Sequence, residues 1–317
     1  MNPGVALIDH PSTEKRQPSY LRLAASGELA RRARELYRIY RSCRLCPRNC
    51  AANRLKGETG TCQSIWRVKV SSAHPHFGEE RPLVGRYGSG TIFFSGCNLR
   101  CEYCQNWELS HRGEGEYLSD QALGRIMLHL QAMGCHNINL VTPTHYAPNI
   151  VQALRWAVSG GLRVPLVYNT SSYDSMETLR LLDGIVDIYL PDYKYMDAGA
   201  AERYSQGASD YPEVAAAAIQ EMHRQVGDLV TDEDGVAVRG VMLRHLVLPH
   251  NIAGTDRFVR FVAGSLAPST YVNIMPQYHP AYRAGCFPEL SRRATAAEFR
   301  QALSWGRQAG LTRLAGY

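Results

Sequence analysis

From residue 91 onward, apolar and polar positions follow one another in a regular order. Short apolar runs occur at 91–96 (TIFFSG), 138–141 (INLV), 164–168 (VPLVY), 185–190 (IVDIYL), 241–248 (VMLRHLVL) and 270–275 (TYVNIM). Between and after them lie helix-period segments near 119–134, 148–160, 174–182, 212–226, 255–266 and 295–309. Ser119-Asp120 and Thr255-Asp256 open two of these with cap signals. Strand–helix alternation predicts a parallel sheet with right-handed crossovers. Six units are too few for a closed eight-fold barrel. The expected fold class is therefore α/β, a partial six-unit (β/α) barrel, with a doubly wound open sheet as the alternative the pattern allows.

Upstream the pattern changes. Residues 1–20 are rich in Pro, Ser and charge and read as a draped arm. A helix is predicted over 26–42, with Ser26 as N-cap and Leu29, Ala33, Leu36, Tyr37 and Tyr40 on one stripe. Residues 65–72 (IWRVKVSS) alternate as a short strand, and the stretch to about residue 90 reads as loop. The expected layout is an N-terminal arm (1–25), a helix plus small Cys-rich metal-binding subdomain (26–75) and the barrel (85–317). No fixed-period repeat interrupts it.

Composition narrows the class. With 317 residues, 45% hydrophobic and 20% charged, the chain reads as a globular protein with ample core. No run reaches the ~18 apolar residues of a membrane span. The N-terminus has acids and prolines where a secretory signal needs a basic patch and an apolar stretch, so the expected compartment is the cytoplasm. Nine cysteines, an odd number in a reducing compartment, argue against a disulfide framework and toward metal or redox chemistry. The formal charge is +6, yet residues 1–62 alone carry +7, so the rest of the chain is nearly neutral.

In either architecture, chemistry belongs in the loops at the carboxyl ends of the strands. The polar motifs fall there: GCNLRCEYCQN, TPTHY, NTSSYD, PDYKYMD, PHN and PQYHP follow the six runs in order. The first places Cys97, Cys101 and Cys104 within eight residues. A structural zinc site wants four closed ligands. Three cysteines with an open position suit a 4Fe-4S cluster whose fourth iron takes a cofactor. Gly96 permits close backbone approach, and Tyr103 offers an aromatic face for a purine.

FSGCNLRCEYCQN resembles the cluster loop of radical S-adenosylmethionine (SAM) enzymes, including the aromatic residue before the third Cys. Within that superfamily the chain is most similar to the pyruvate formate-lyase activating enzymes, and closer still to homologues with an extra N-terminal cysteine set. The likeness covers roughly residues 43–315 and implies the six-unit partial barrel. It also implies that Cys97, Cys101 and Cys104 ligate three irons while the amine and carboxylate of SAM chelate the fourth. Reductive cleavage then yields a 5′-deoxyadenosyl radical that abstracts hydrogen from a substrate, by analogy forming a glycyl radical on a partner enzyme. A low-potential one-electron donor of flavodoxin or ferredoxin type is the implied partner.

The likeness extends, with departures, to the other loops. Where the activating enzymes carry paired glycines and an acid for the amine of SAM, this chain has Thr142-Pro-Thr144-His145-Tyr146. Thr hydroxyls and backbone carbonyls accept ammonium protons; a Pro-rigidified turn is the plain reading. Asn169-Thr170-Ser171 stands where the relatives contact the cofactor, though helix capping by Ser172 or Asp174 is the competing role. Asp192-x-Lys194 matches an Asp-x-Lys of the relatives, Lys194 pairing with the cofactor carboxylate, against a bland ion pair. His279 resembles a Tyr-His segment that approaches the cofactor, with one residue inserted, against a structural histidine. His145, His245 and His250 also fall near strand ends.

Cys43-x2-Cys46-x3-Cys50-x11-Cys62 has enough thiolates to close a second site, holding either zinc or a 4Fe-4S cluster. Either sums to a net charge of about −2, which Arg44, Arg48, Arg54 and Lys56 are expected to offset. The Arg-rich helix 31–41 is left to face solvent, an acidic protein or, less in keeping with the rest, nucleic acid. Cys135 reads as a small buried apolar residue. Cys286 is a candidate for contact with a substrate radical. The expected activity is radical SAM chemistry on a partner enzyme, another protein, a peptide or a metabolite. The rival from a different class is a zinc-stabilised module binding acidic partners or RNA.

Overall fold

The computed structural model describes residues 17–316, so most of the arm expected over 1–20 lies outside the described residues. Among the described residues ten strands form in chain order. They are β1 (Val68–His76), β2 (Ser89–Phe94), β3 (Glu116–Leu118), β4 (Ile138–Val141), β5 (Leu166–Thr170), β6 (Ile188–Pro191), β7 (Val230–Thr231), β8 (Ala237–Leu246), β9 (Tyr271–Met275) and β10 (Leu314–Ala315). Neighbours across the sheet run β10-β9-β8-β6-β5-β4-β2-β1-β3. The six strands β2, β4, β5, β6, β8 and β9 pair in parallel and in sequence order. A doubly wound sheet reverses its order at a switch point; this one does not, so the wound-around, partial-barrel alternative is the one realised.

Each parallel strand is an apolar run because both of its faces are covered. All five residues of β5 are buried. The expected helices form at Asp120–Ala132, Ala147–Ser159, Met176–Leu182, Tyr211–Val226, Thr255–Ser265 and Ala296–Gln308, and a further helix, Ala198–Tyr204, follows β6. Ser119 caps the first, accepting from the Ala122 amide, and Thr295 closes a capping box with Glu298 on the last. Ser175, rather than Ser172 or Asp174, caps Met176–Leu182. The stretch expected as loop before residue 90 contains the short helix Arg81–Val84.

The helix predicted over 26–42 is Glu28–Ile39, with Gly27 and not Ser26 at its N-cap, and a separate short helix, Tyr20–Ala25, precedes it. Ser26 ends the short helix, its hydroxyl donating back to the Leu23 carbonyl at 3.2 Å. Gly27, at φ 77°, makes the corner and precedes the longer one. Leu29, Ala33, Leu36 and Ile39 form the buried stripe of the longer helix, which packs on Ala147–Ser159. Tyr20 is buried and donates to the Val164 carbonyl at 2.8 Å. The N-terminal helices thus wrap the outside of the barrel and bring residues 43–62 to the ends of its first strands. No helix among the described residues is long and apolar enough to cross a membrane.

Candidate active site at the carboxyl ends of the strands

One cavity of about 270 Å³ opens where β2, β4, β5, β6, β8 and β9 end. Its wall includes Cys97, Cys101 and Cys104 together with Thr142, Asn169, Thr170, Ser171, Asp192, Lys194 and Arg244. Each contribution comes from the last residues of a strand or from the loop just after it, so the parallel sheet itself gathers residues far apart in sequence.

The thiols sit in a loop that is bent to present them. Gly96 has φ +85°, and Arg100 takes the left-handed region at φ 56°. The Leu99 and Arg100 amides donate to Cys97 Sγ at 3.4 and 3.5 Å. Ser110 Oγ donates to Cys104 Sγ at 3.1 Å, and Ser205 Oγ to Cys101 Sγ at 3.3 Å. Burial pushes the Cys101 thiol up to about 12, against the pull of the Lys194 charge. A metal overturns such a burial penalty, because a coordinating thiol is deprotonated outright. Three neighbouring thiols supplied with N–H and O–H donors therefore fit an iron–sulfur cluster. The fit rests on the chemistry of this donor set, since among the described residues no three His, Cys, Asp or Glu side chains already converge as a metal would hold them.

Opposite the thiols, Asp192 links two cations. Lys194 Nζ donates to one carboxylate oxygen at 2.8 Å and Arg244 Nε to the other at 2.7 Å. Burial works against the Asp192 charge, but Arg244 and Lys194 outweigh it and hold the carboxyl below its usual range. Lys194 is likewise held protonated: Asp192 and Cys101 more than offset its burial. Arg244 also donates to Asn169 Oδ1 at 2.5 Å, tying the ends of β5, β6 and β8 together. Ser171 Oγ lines the cavity and has no hydrogen-bond partner. A buried hydroxyl left free at the wall of a polar cavity is positioned for a ligand.

The remaining sequence candidates divide. Thr142 reaches the cavity in a left-handed conformation (φ 58°). Tyr103 lines it too, with its ring edge-on to Tyr195 and Tyr278. Thr170 is at the wall, but its hydroxyl is committed to Asp174 at 2.6 Å. Thr144 is wholly buried beside Thr170, outside the cavity. His145 also lies outside: its Nε2 meets the Ser95 carbonyl at 2.9 Å and burial pulls its basicity down to about 3. His245 is pinned between the Tyr193 carbonyl and the Thr255 hydroxyl and stacks on Phe258. His250 meets Arg292 at the surface, and His279 meets Gln105 at 3.2 Å near the rim. Cys135 is buried in the core, and Cys286 is exposed, outside the cavity wall.

Arg244 escapes motif reading because it sits inside the run VMLRHLVL. A lone charge in an otherwise apolar buried strand is the signal that could have found it. The N-terminal cations also differ from expectation. Arg44 pairs with Glu177 at 2.7 Å, Lys56 is exposed, and Arg31 and Arg32 bond Glu28 of their own helix. Arg48 donates to four backbone carbonyls, and only Arg54 faces the thiols Cys62 and Cys43 from a buried position.

With this geometry in place, comparison with known proteins agrees on the class. The Radical SAM superfamily profile matches residues 91–204, the span from β2 through the helix after β6. Uncharacterized protein MJ0674 of Methanocaldococcus jannaschii is 32% identical over 275 residues, covering 84% of this chain and 74% of that protein. The chain belongs to the radical SAM superfamily, whose domain carries a 4Fe-4S cluster and SAM.

Proposed function

We propose that this chain is an activating enzyme that uses SAM to form a glycyl radical on a partner protein in the cytoplasm. Cys97, Cys101 and Cys104 would hold a 4Fe-4S cluster, which would supply the electron for reductive cleavage of SAM and so the radical chemistry that removes hydrogen from the substrate. The observation that carries the reading is the meeting of those three thiols with Asp192, Lys194, Arg244 and Ser171 in one cavity.

The protein's own groups divide the work of holding the cofactor. Lys194 and Arg244 offer two fixed cations to the methionine carboxylate while Asp192 keeps them apart and charged. Ser171 Oγ, free of internal partners, is available to the ribose or the amine. Tyr103, wedged by Tyr195 and Tyr278, lends a rigid aromatic edge to the wall. Just after the thiol loop in the chain, Trp107 stacks with the exposed Tyr282, an apolar surface suited to a polypeptide substrate. Cys43, Cys46, Cys50 and Cys62 hold a second metal, zinc or iron–sulfur, and a flavodoxin- or ferredoxin-type protein supplies the electron.

The test is anaerobic incubation of the reconstituted, reduced protein with SAM and a glycyl-radical enzyme in its unactivated form. The expected result is 5′-deoxyadenosine together with a glycyl radical doublet by electron paramagnetic resonance. Deoxyadenosine formation without any radical on the partner would discard the activating role while leaving the radical SAM class intact.

A further inference from the structure

The segment between β1 and β2 crosses the barrel as well as connecting two strands. It leaves β1 at His76 and forms the short helix Arg81–Val84, all ahead of the span that the superfamily profile matches. Leu83 is wholly buried and shares a core cluster with Val167, Ile188, Leu190 and Met242, which come from β5, β6 and β8. Its carbonyl accepts from Asn137 Nδ2 at 2.8 Å, just ahead of β4. Glu80 is buried, and its Oε1 accepts from Asn273 Nδ2 of β9 at 3.0 Å. In the sheet order β1 and β9 lie near opposite ends. The segment therefore starts at one side of the incomplete barrel and reaches the other, spanning its open side.

Glu79 carries this crossing up to the cavity wall. Its side chain is only 8% exposed, with Oε1 3.4 Å from His76 Nδ1 and Oε2 3.6 Å from Arg244 Nη1. Both separations are longer than ordinary hydrogen bonds, so the carboxylate acts on Arg244 through its charge. Arg244 is held at its other two nitrogens as well. Nε donates to Asp192 Oδ1 at 2.7 Å, and Nη2 donates to Asn169 Oδ1 at 2.5 Å. Lys194 takes the second oxygen of Asp192. Charges of alternating sign thus run from Glu79 through Arg244 and Asp192 to Lys194. The last three line the cavity, and Glu79 stands behind them.

The geometry gives Glu79 a definite task. A guanidinium carries its three nitrogens in one rigid plane. Asp192 and Asn169 fix two of them along one edge, about which the plane could still rock. Glu79 engages the third and stops that motion. A second carboxylate also lowers the cost of keeping a cation charged within a buried strand.

We propose that Glu79 is a positioning residue for SAM: from behind the cavity wall it holds the Nη1 end of Arg244, so that cofactor affinity depends on a carboxylate supplied by the segment that spans the open side of the barrel. This rests on the reading of Arg244 as a cation for the SAM carboxylate. It adds a residue that the thiol loop and the other strand-end motifs do not contain.

The experiment uses the full chain, reconstituted anaerobically, with equilibrium dialysis of labelled SAM, iron content and thermal melting as readouts. Glu79→Gln keeps the shape of the side chain and removes its charge. It is expected to weaken SAM affinity roughly tenfold at wild-type iron content, the scale of one lost contact to a charged group. In an Arg244→Gln background the same change is expected to alter affinity less than roughly twofold, because the group it positions is gone. A lower melting temperature with SAM affinity unchanged would make Glu79 structural and overturn the proposal. So would an equal loss of affinity in both backgrounds, since Glu79 would then act other than through Arg244. Either result, beside a weakened Arg244→Gln, leaves the reading of Arg244 standing. Arg244→Gln with wild-type affinity removes that reading and the proposal together. Should Glu79→Gln lose iron, Glu79→Asp serves instead: it keeps the charge but withdraws it from Arg244. Weaker SAM affinity at wild-type iron content then supports the positioning role, and wild-type affinity contradicts it.

Discussion

Lys194 Nζ lies 2.8 Å from Asp192 Oδ2, on the opposite side of the carboxylate from Arg244. The three groups are each less than a quarter exposed, at 21%, 17% and 17% of their side-chain surface. Asp192→Asn leaves two half-buried cations facing one another. The expected cost is about 3 kcal/mol of stability, the scale for removing one partner of a buried ion pair. SAM affinity is expected to fall as well, since the cations lose their alignment. Thermal melts and SAM titration of the variant check both, and an unchanged affinity would assign the triad to the fold alone.

Ser171→Ala separates binding from stability. The hydroxyl has no partner in the protein, so its loss should leave the melting temperature nearly unchanged. A lost hydrogen bond of about 1 kcal/mol predicts a roughly five-fold weaker SAM affinity. Equilibrium dialysis with labelled SAM reads it, and a lowered melting temperature at unchanged affinity would count against the assignment.

Gly96→Ala probes the junction between the two thiol sets. The position has φ +85°, and a Cβ would meet the Cys62 carbonyl at 2.6 Å and Ser64 Oγ at 2.8 Å. Backbone, not a flexible side chain, stands in the way. The variant is expected to lose at least about 1–2 kcal/mol and to bind less iron at Cys97. Retention of wild-type iron content and melting temperature would show that the loops separate freely.

Asp187 sets a pH dependence away from the cavity. It is buried under β5 and β6, and burial raises its carboxyl to about 6, despite amide donors from Ser19 and Leu166. Its ordinary value is about 3.9. The folded protein therefore holds a proton that the unfolded chain releases as pH rises between about 4 and 6. The stability cost of ionising Asp187 develops across that window and is complete above it. Relative to wild type, Asp187→Asn is expected to gain melting temperature from pH 5 to pH 7.5. A difference that stays constant across the two pH values would show that Asp187 does not titrate in that range.

The barrel is readable in the sequence because its strands are buried on both faces and so appear as continuous apolar runs. The thiol loop is readable because three cysteines within eight residues, at the end of a strand, form a ligand set that ordinary core packing does not require. The helix expected to start from Ser26 starts after Gly27 because Ser26 ends Tyr20–Ala25, and periodicity alone does not separate a cap from a corner. His145 resembles a site residue by its place at a strand end, but its ring turns inward to the Ser95 carbonyl. Arg244 escapes notice because it acts through a partner, Asp192, that only the folded chain brings near.

The central claim is that Cys97, Cys101 and Cys104 form a cluster site sharing one cavity with the SAM-binding groups. Electron paramagnetic resonance of the reduced protein, recorded with and without SAM, tests it most directly. The account predicts a cluster signal that shifts on SAM addition, with the shift abolished by Cys97→Ala. A signal indifferent to SAM, or a shift that survives Cys97→Ala, would contradict it.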